Sequence, residues 1–443
     1  MIKTSEKLKS YLHPKLAALA FFLWLLGVAG IFYKAPWLDL TRLSFFALFL
    51  ALALPQAKRF SLILFVPVVL LASWFGLGTG NWLPLQRGLD FALFFTLFLP
   101  PLMLIRETLK VSPQIETSKE RFTQLSSEQR AAGLTTGSLI VGSVLTLGAV
   151  AMLSTLSVDE KDIERRREAA TSVLRGLSLV LPWTPFTAGI VFCLTYRPSV
   201  TLLDVMLVGV PMALIGLTIS HVLFSRHLSP KLIVLAFKAF TPILLPVAVA
   251  IVVVACLASF TPLKTVEAIA LAIPPLCLIW LSSMGTEKPR PTLMSAYQRL
   301  GDTGDDLMIF AGACTMGYLL ASLPFVETFV YSSGLVTAPL PVIFLFVLIF
   351  APVTAMIGCH PVVSASVLTV FLTPLDGRLT DIVEVQMLLF VWGTASMLSF
   401  ASMSMVATSR FFQVPSKRLM LHRNVLFTII FGTICGSLAY ILF

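Results

Sequence analysis

The chain has 443 residues, of which 57% are hydrophobic and only 12% are charged, and its mean hydropathy is +0.92. So few polar groups cannot cover a surface in water, which excludes an ordinary soluble protein and indicates a polytopic membrane protein. The net charge of +10 does not indicate a nucleic-acid partner, because the basic residues are spread over many loops and suit an anionic inner leaflet better. We expect an all-α fold, because a helix satisfies its own backbone hydrogen bonds in lipid.

The basic N-terminal segment, residues 1–15, precedes an apolar stretch without a small-residue cleavage site, so we predict a retained first helix and not a signal peptide. A membrane span needs about 20 apolar residues. Eleven crossings are predicted on this basis: 16–33, 41–55, 60–77, 87–105, 170–195, 201–224, 232–258, 265–284, 305–322, 382–408 and 424–443. Two further apolar stretches, Gly133 to Leu156 and Leu340 to Pro374, are predicted to be re-entrant hairpins.

The distribution of Lys and Arg tests this topology, because short cytoplasmic loops carry the excess of basic residues. With the N-terminus in the cytoplasm and both hairpins returning to the side they came from, 26 of the 32 basic residues lie inside. If both hairpins cross instead, 17 lie inside and 15 outside, and the bias disappears. The charge count therefore favours two re-entrant hairpins.

The second hairpin has an additional signal in its length. Leu340 to Pro374 is too long for one unbroken span, and the sequence from Gly358 to Pro361 supplies a break. Proline removes a backbone donor and glycine tolerates a turn, so two half-helices are expected here. The first hairpin is shorter, and its assignment depends on charge alone.

Each hairpin is followed by a span with an irregular, polar middle. The first of these spans is interrupted by prolines around Trp183 and Thr184, and the second is dense in Ser, Thr, Gly and Ala between Gly393 and Ser409. A hairpin followed by a broken span thus occurs twice, entering from opposite sides. This arrangement is typical of the inverted repeats of alternating-access transporters.

In this order of elements the chain resembles the ion transporter superfamily, which includes divalent anion/sodium symporters, arsenite pumps and the large membrane subunit of TRAP transporters. The Thr184-Pro185 pair is similar to a step in the first broken helix of that family. The resemblance covers most of the chain. It implies a homodimer in a bacterial cytoplasmic membrane, with the N-terminus inside and the C-terminus outside.

The resemblance also implies a division into four segments. Residues 1–132 are N-terminal scaffold helices with an interfacial arm at Arg106–Ala132, and residues 133–224 are a first transport unit with the inner hairpin. Residues 225–338 are a second scaffold set, and residues 339–443 are a second transport unit with the outer hairpin.

The predicted substrate and ion site combines the hairpin tips with the breaks that follow them: Thr146, Gly148, Trp183, Thr184, Pro185, Gly358, Cys359, His360, Pro361, Ser399, Ser402 and Ser404. Unwound carbonyls and hydroxyls hold Na⁺, and half-helix N-termini direct N–H donors at an anion. We therefore expect Na⁺ as the coupling ion and no other cofactor. Each Ser or Thr has helix packing as its alternative role, and His360 has that of a core histidine bonded to a neighbouring carbonyl.

Ionisable groups are scarce at mid-depth. Arg175 and Lys238 lie near helix ends, where snorkelling to the membrane interface is the expected explanation. Among histidines, only His221 and His360 lie in spans, and no acid lies at matching depth. The six cysteines all sit in apolar segments, without the spacing of a disulfide framework or a zinc site.

These features predict a secondary active transporter for a small anionic solute, and not an enzyme. Three alternatives stay open. One is a non-transporting assembly scaffold, although nothing in a scaffold would need irregular polar backbone at mid-depth. Another is a subunit of the TRAP type that works with a binding protein. The third is a membrane-embedded lipid-modifying enzyme, which would need a nucleophile with a base, or a metal cluster of acids and histidines.

Overall fold

The computed structural model describes residues 2–155, 162–224, 230–421 and 423–442. Within these ranges every regular element is helical, apart from one isolated bridge between Asp376 and Leu379. The all-α prediction is confirmed for this part of the chain. Leu156, the predicted end of the first hairpin, lies outside the described residues, as do two of the residues counted as cytoplasmic, Lys161 and Arg226.

Several helices of the described residues are long and apolar enough to cross a membrane, nine in all: Tyr11–Phe32, Pro36–Gln56, Arg59–Thr79, Leu83–Lys110, Leu202–Phe224, Phe237–Phe260, Thr265–Ser283, Asp381–Phe412 and Ser416–Leu442. A tenth results if Gly304–Ala321 and Pro324–Ser332, which meet at a 71° bend, form one span. The predicted span at 170–195 is not among them, because a long non-helical stretch, residues 179–187, separates its two helices, whereas the break within Asp381–Phe412 covers only residues 399–402. These helices are those of a multi-pass membrane protein, and the number eleven stays a prediction.

The chain divides into two compact units. Unit 1 comprises Met1–Val111 and Val252–Phe329, and unit 2 comprises Ser112–Ile251 and Val330–Phe443. Two of the three boundaries fall inside helices, α11 (Pro230–Phe260) and α15 (Pro324–Ser332), and the third lies between Val111 and Ser112. Both predicted transport segments, 133–224 and 339–443, lie within unit 2, while the roles given to the four segments stay predictions.

Unit 1 contains α1 (Ile2–Phe32), α2 (Pro36–Ala53), α3 (Arg59–Thr79), α4 (Leu83–Lys110), α12 (Thr265–Ser283), α13 (Pro289–Arg299) and α14 (Gly304–Ala321). Its core is built around α4 and α14, where Phe95 stacks on Phe310 with ring centroids 3.7 Å apart. The carboxylate of Asp305 accepts hydrogen bonds from the Lys58 backbone N–H (2.8 Å) and the Ser61 hydroxyl (2.7 Å). These bonds join the first turn of α14 to the start of α3.

Unit 2 contains α5 (Pro113–Thr123), α6 (Ser127–Leu145), α7 (Leu147–Thr155), α8 (Ile163–Ser178), α9 (Ala188–Tyr196), α10 (Leu202–Phe224), α16 (Leu340–Met356), α17 (Pro361–Leu372), α18 (Asp381–Leu398), α19 (Met403–Phe412), α20 (Ser416–Met420) and α21 (Arg423–Leu442). Helices α8 and α18 form its centre: α6 packs on α8, α16 and α17 pack on α18, and α19 packs on α7 and α8. Within the predicted arm, α5 buries Ile115 and Phe122.

Candidate functional site

The first predicted hairpin is a pair of helices that fold back on each other. Helix α6 ends at Leu145 and α7 begins at Leu147. The two arms pack closely enough that a Cβ placed on Gly137 would lie 3.4 Å from Cδ2 of Leu153. In one continuous helix these residues would be separated by more than four turns.

Thr146 forms the tip between these arms with a φ of 46° and a ψ of −96°. A positive φ is unfavourable for a β-branched residue and costs about 1–3 kcal/mol, and such strain concentrates at functional sites. The predicted site residues Thr146 and Gly148 are half-buried, whereas most of the residues on both arms are buried. This tip is therefore a strained, partly open point in a buried hairpin.

Replacing Thr146 with glycine should raise the free energy of unfolding by about 1 kcal/mol, because glycine adopts a positive φ without strain. Thermal unfolding in detergent micelles measures the effect. Thr218→Gly in the exposed part of α10 is the control, and it should lower stability slightly through helix propensity. If both variants lose stability alike, Thr146 is not strained.

The second predicted hairpin is also a folded-back pair, formed by α16 and α17. Phe371 of α17 contacts Phe346 and Phe350 of α16, with ring centroids 5.2 and 6.3 Å apart. Gly358, with a φ of 91°, ends α16 through two backbone bonds: its own N–H donates to Ala355 (3.0 Å), and the next N–H donates to Thr354 (3.0 Å). This is the Schellman motif, which needs a left-handed residue at this position.

The following residues start α17. The Cys359 N–H is the second donor of the motif, and Pro361 occupies the first turn of α17, where its missing N–H is harmless. His360 caps α17, because its Nδ1 accepts a hydrogen bond from the Val362 N–H at 3.4 Å. The imidazole therefore has a local structural role at the tip, as the cap of α17.

The first break, residues 179–187, separates α8 from α9. The buried Thr184 hydroxyl donates to the carbonyl oxygen of Ser143, near the end of α6, at 3.0 Å. The half-buried Trp183 indole N–H donates to the Leu179 carbonyl at 3.1 Å, and Pro185 is buried. Break and hairpin are thus joined directly at the position that the sequence indicated.

The second break, residues 399–402, separates α18 from α19 and is held by its own serines. The Ser402 hydroxyl donates to the Ser396 carbonyl at 2.8 Å and accepts from the Met405 N–H at 3.1 Å, so it caps α19. The Ser399 hydroxyl accepts from the Ala401 N–H at 3.1 Å. The hydroxyls of Ser399 and Ser402 keep the backbone irregular at this position.

Contacts within unit 2 connect these elements further. The ring of Phe400, in the second break, packs against Gly358: a Cβ placed on Gly358 would lie 2.1 Å from this ring. Helices α8 and α18 are in contact at Gly393, where a Cβ would lie 3.1 Å from the carbonyl oxygen of Ser178. The structure therefore places each hairpin against its own break and brings the two broken helices together. Gly148 and Ser404 take no part in these contacts.

Arg175 is a residue whose environment the sequence did not reveal. Its expected snorkelling is wrong, because Arg175 is only 3% exposed. Its guanidinium donates to Ser220 Oγ (3.0 Å), Asn424 Oδ1 (2.8 Å) and Ser172 Oγ (2.9 Å). All three partners are neutral, and within the described part of the chain no carboxylate forms an ion pair with it.

An ion pair between a half-buried arginine and a buried carboxylate lies elsewhere in unit 2. Glu384 of α18 is fully buried, and its Oε2 accepts from Arg197 Nε at 2.8 Å and lies 2.7 Å from Arg197 Nη2. A third contact, 3.2 Å long, joins Arg197 to Asp376. Sequence spacing contains no signal for this pair, because its partners are far apart in the chain. The other oxygen of Glu384 has no hydrogen-bond partner among the described residues.

Compared with models of known protein families and with curated proteins, the chain matches none of them. Among the described residues, no group of three or more His, Cys, Asp or Glu side chains is placed to hold a metal ion. Unit 2, with its two folded-back helix pairs and its two broken helices, is therefore the candidate functional site.

Proposed function

We propose that this protein is a secondary active transporter of the ion transporter superfamily, moving a small anionic solute by alternating access with Na⁺ as the coupling ion. The observation that carries the proposal is the pair of helical hairpins in unit 2, each packed against the break of the helix that follows it. Irregular backbone at membrane depth is tolerated where protein or a wet cavity surrounds it. Transporters use such broken helices to form their binding sites.

Four short helices of unit 2 begin where the chain is interrupted. Helices α7, α9, α17 and α19 all begin at a tip or a break. A helix N-terminus carries unpaired N–H groups and a partial positive charge, which favour an anion. This arrangement supports an anionic solute near the hairpin tips.

The buried positive charge of Arg175 in unit 2 also favours an anionic solute. Arg175 is buried among neutral partners, and the buried carboxylate of Glu384 is already paired with Arg197. Charged groups are expensive in a membrane interior and are commonly functional there. A bound anion would lower the free-energy cost of burying the positive charge of Arg175.

The proposed role of Na⁺ has support from buried hydroxyls. Ser364 and Ser366 of α17 and Thr408 of α19 are buried, and their hydroxyl oxygens meet no hydrogen-bond partner in the described residues. A buried polar atom without a partner costs about 1–3 kcal/mol. Hard cations take oxygen ligands, so these oxygens provide candidates for completing a Na⁺ site.

Uptake by proteoliposomes tests the proposed function. A panel of radiolabelled carboxylates and inorganic anions is offered with an inward Na⁺ gradient, an inward H⁺ gradient, or neither. We expect concentrative uptake of one anion class under the Na⁺ gradient. Flux that needs only the H⁺ gradient contradicts Na⁺ coupling, and no flux under either gradient contradicts the transporter assignment. Uptake only after addition of an extracytoplasmic protein identifies the TRAP-type alternative.

The re-entrant topology has a separate test. Epitope tags inserted at residues 160 and 290 should be reached by antibody only after the cytoplasmic side is opened. The reason is that the basic loops of both regions belong inside if the hairpins return. Tags accessible from the outside of intact cells would contradict the topology and, with it, the alternating-access proposal.

Thr184→Val should lower uptake several-fold while the protein still folds. Valine keeps the volume but removes the bond to the Ser143 carbonyl, which costs about 1–3 kcal/mol locally. Initial uptake rates at equal protein incorporation measure the effect. Thr184→Ser, which retains the hydroxyl, should transport like the wild type.

His360→Ala is expected to lower uptake as well, because it removes the cap of α17 and the imidazole together. His360→Asn separates these two contributions, since asparagine caps helices well. Wild-type rates in His360→Asn would assign His360 to helix capping alone. Wild-type rates in His360→Ala and Thr184→Val would exclude both residues from the site.

A further inference from the structure

A cavity of about 320 Å³ lies within unit 2 between α10, α16, α18 and α21. Its walls are almost entirely hydrocarbon, contributed by side chains such as Leu207, Pro211, Phe344, Val347 and Phe390. Apart from backbone, the polar groups in the lining are the amide of Gln386 and the thiol of Cys435. A cavity that holds water needs two to four polar partners for each molecule, so this lining favours an apolar occupant.

The cavity is continuous with the surface that faces lipid. Leu207 of α10 and Leu442 of α21 belong to its lining and are 65% and 71% exposed, and both lie in helices of membrane-spanning length. In a bilayer the molecules that touch such leucines are acyl chains. Acyl chains therefore have direct access to the cavity behind these two leucines.

Two glycines of α21, Gly432 and Gly436, line this cavity. A Cβ on Gly436 would lie at ordinary contact distance from Phe344, with 3.6 Å as the shortest separation. A Cβ on Gly432 would lie 2.5 Å from Leu348, so this glycine instead permits the close approach of α21 to α16. The cavity therefore has room for added atoms at Gly436 and not at Gly432.

We propose that this cavity binds one acyl chain of a membrane lipid. An empty space among apolar side chains forfeits van der Waals contacts, and a single hydrocarbon chain restores them without needing hydrogen bonds. The chain enters between the exposed leucines and packs against α18. The proposal does not depend on the transport function, because it concerns lipid retention alone.

The position of Gln386 gives the bound chain a structural consequence. This side chain lines the cavity, and its Nε2 donates to the carbonyl oxygens of Val205 (3.1 Å) and Pro182 (3.4 Å). Pro182 belongs to the first break. A lipid chain in the cavity thus packs against the residue that bonds to the unwound backbone of that break.

Photo-cross-linking in lipid nanodiscs tests the proposal. The probe is phosphatidylglycerol with a diazirine on one acyl chain, and adducts are located by mass spectrometry of peptides. Cross-links are expected to be enriched on the cavity residues of α10 and α21 relative to Trp74, an exposed residue of α3 that represents ordinary lipid contact. Gly436→Leu fills the space and should reduce the cavity adducts to the Trp74 level.

Ser437→Leu is the matched control, because it adds the same side chain to an exposed neighbour that does not line the cavity. It should leave the cross-links unchanged. If Gly436→Leu fails to fold, Ala439→Leu fills the same cavity from the next turn of α21. No enrichment over Trp74, or cross-links that survive filling, would overturn the proposal. Displacement of the probe by a water-soluble anion would also overturn it, by assigning the cavity to a solute path.

Discussion

Replacing Arg197 with alanine should destabilise the protein by about 3 kcal/mol, the lower end of the range for a buried pair, because Arg197 is half-buried while its loss leaves a buried carboxylate uncompensated. The stranded group is Glu384, which is fully buried. Its Oε1 has no hydrogen-bond partner in the described residues, so this carboxylate depends on Arg197 for its hydrogen bonds. Thermal and denaturant unfolding in detergent micelles measure the loss.

Two controls make this result specific to the pair. Arg378→Ala removes an exposed arginine that donates to the backbone carbonyls of Val336 and Ala338, and it should have a small effect. Adding Glu384→Gln to Arg197→Ala should recover most of the stability, since a neutral amide needs no counter-charge. Equal losses in Arg197→Ala and Arg378→Ala, or no recovery in the double variant, would contradict the importance of the pair.

Gly209→Ala should be comparably damaging, with a loss of about 3 kcal/mol or more. A Cβ on Gly209 of α10 would lie 1.7 Å from the carbonyl oxygen of Pro182 and 2.4 Å from its carbonyl carbon. Because the obstructing atoms are backbone, no side-chain rotation relieves the clash. The first break must move, so stability and solute uptake should fall together.

Gly78→Ala provides the comparison in another candidate span. A Cβ on Gly78 would meet no atom within 4 Å. Alanine is favoured over glycine within a helix by about 0.5–1 kcal/mol, so this variant should be neutral or slightly stabilised. If Gly209→Ala unfolds and transports like Gly78→Ala, the close approach of α10 to the first break is not needed.

The sequence by itself determined the class of protein and the position of most helices. Hydropathy and helix length depend on consecutive residues, so spans such as 60–77 agree with helices of the structure within a few residues. The turn at Gly358 was also readable, because glycine and proline impose backbone restrictions on their immediate neighbours. The two breaks were indicated by prolines in one case and by hydroxyl residues in the other.

Only the tertiary structure determined what those elements contact. The way the hairpin arms fold back decides three details: the positive φ of Thr146, the hydrogen bond from Thr184 to Ser143, and the capping of α17 by His360. The burial of Arg175 and the pairing of Arg197 with Glu384 join residues far apart in the chain. A local sequence pattern specifies backbone conformation. The partner of a charged side chain is instead set by packing between distant segments, so hydrophobic periodicity and residue spacing do not predict that partner.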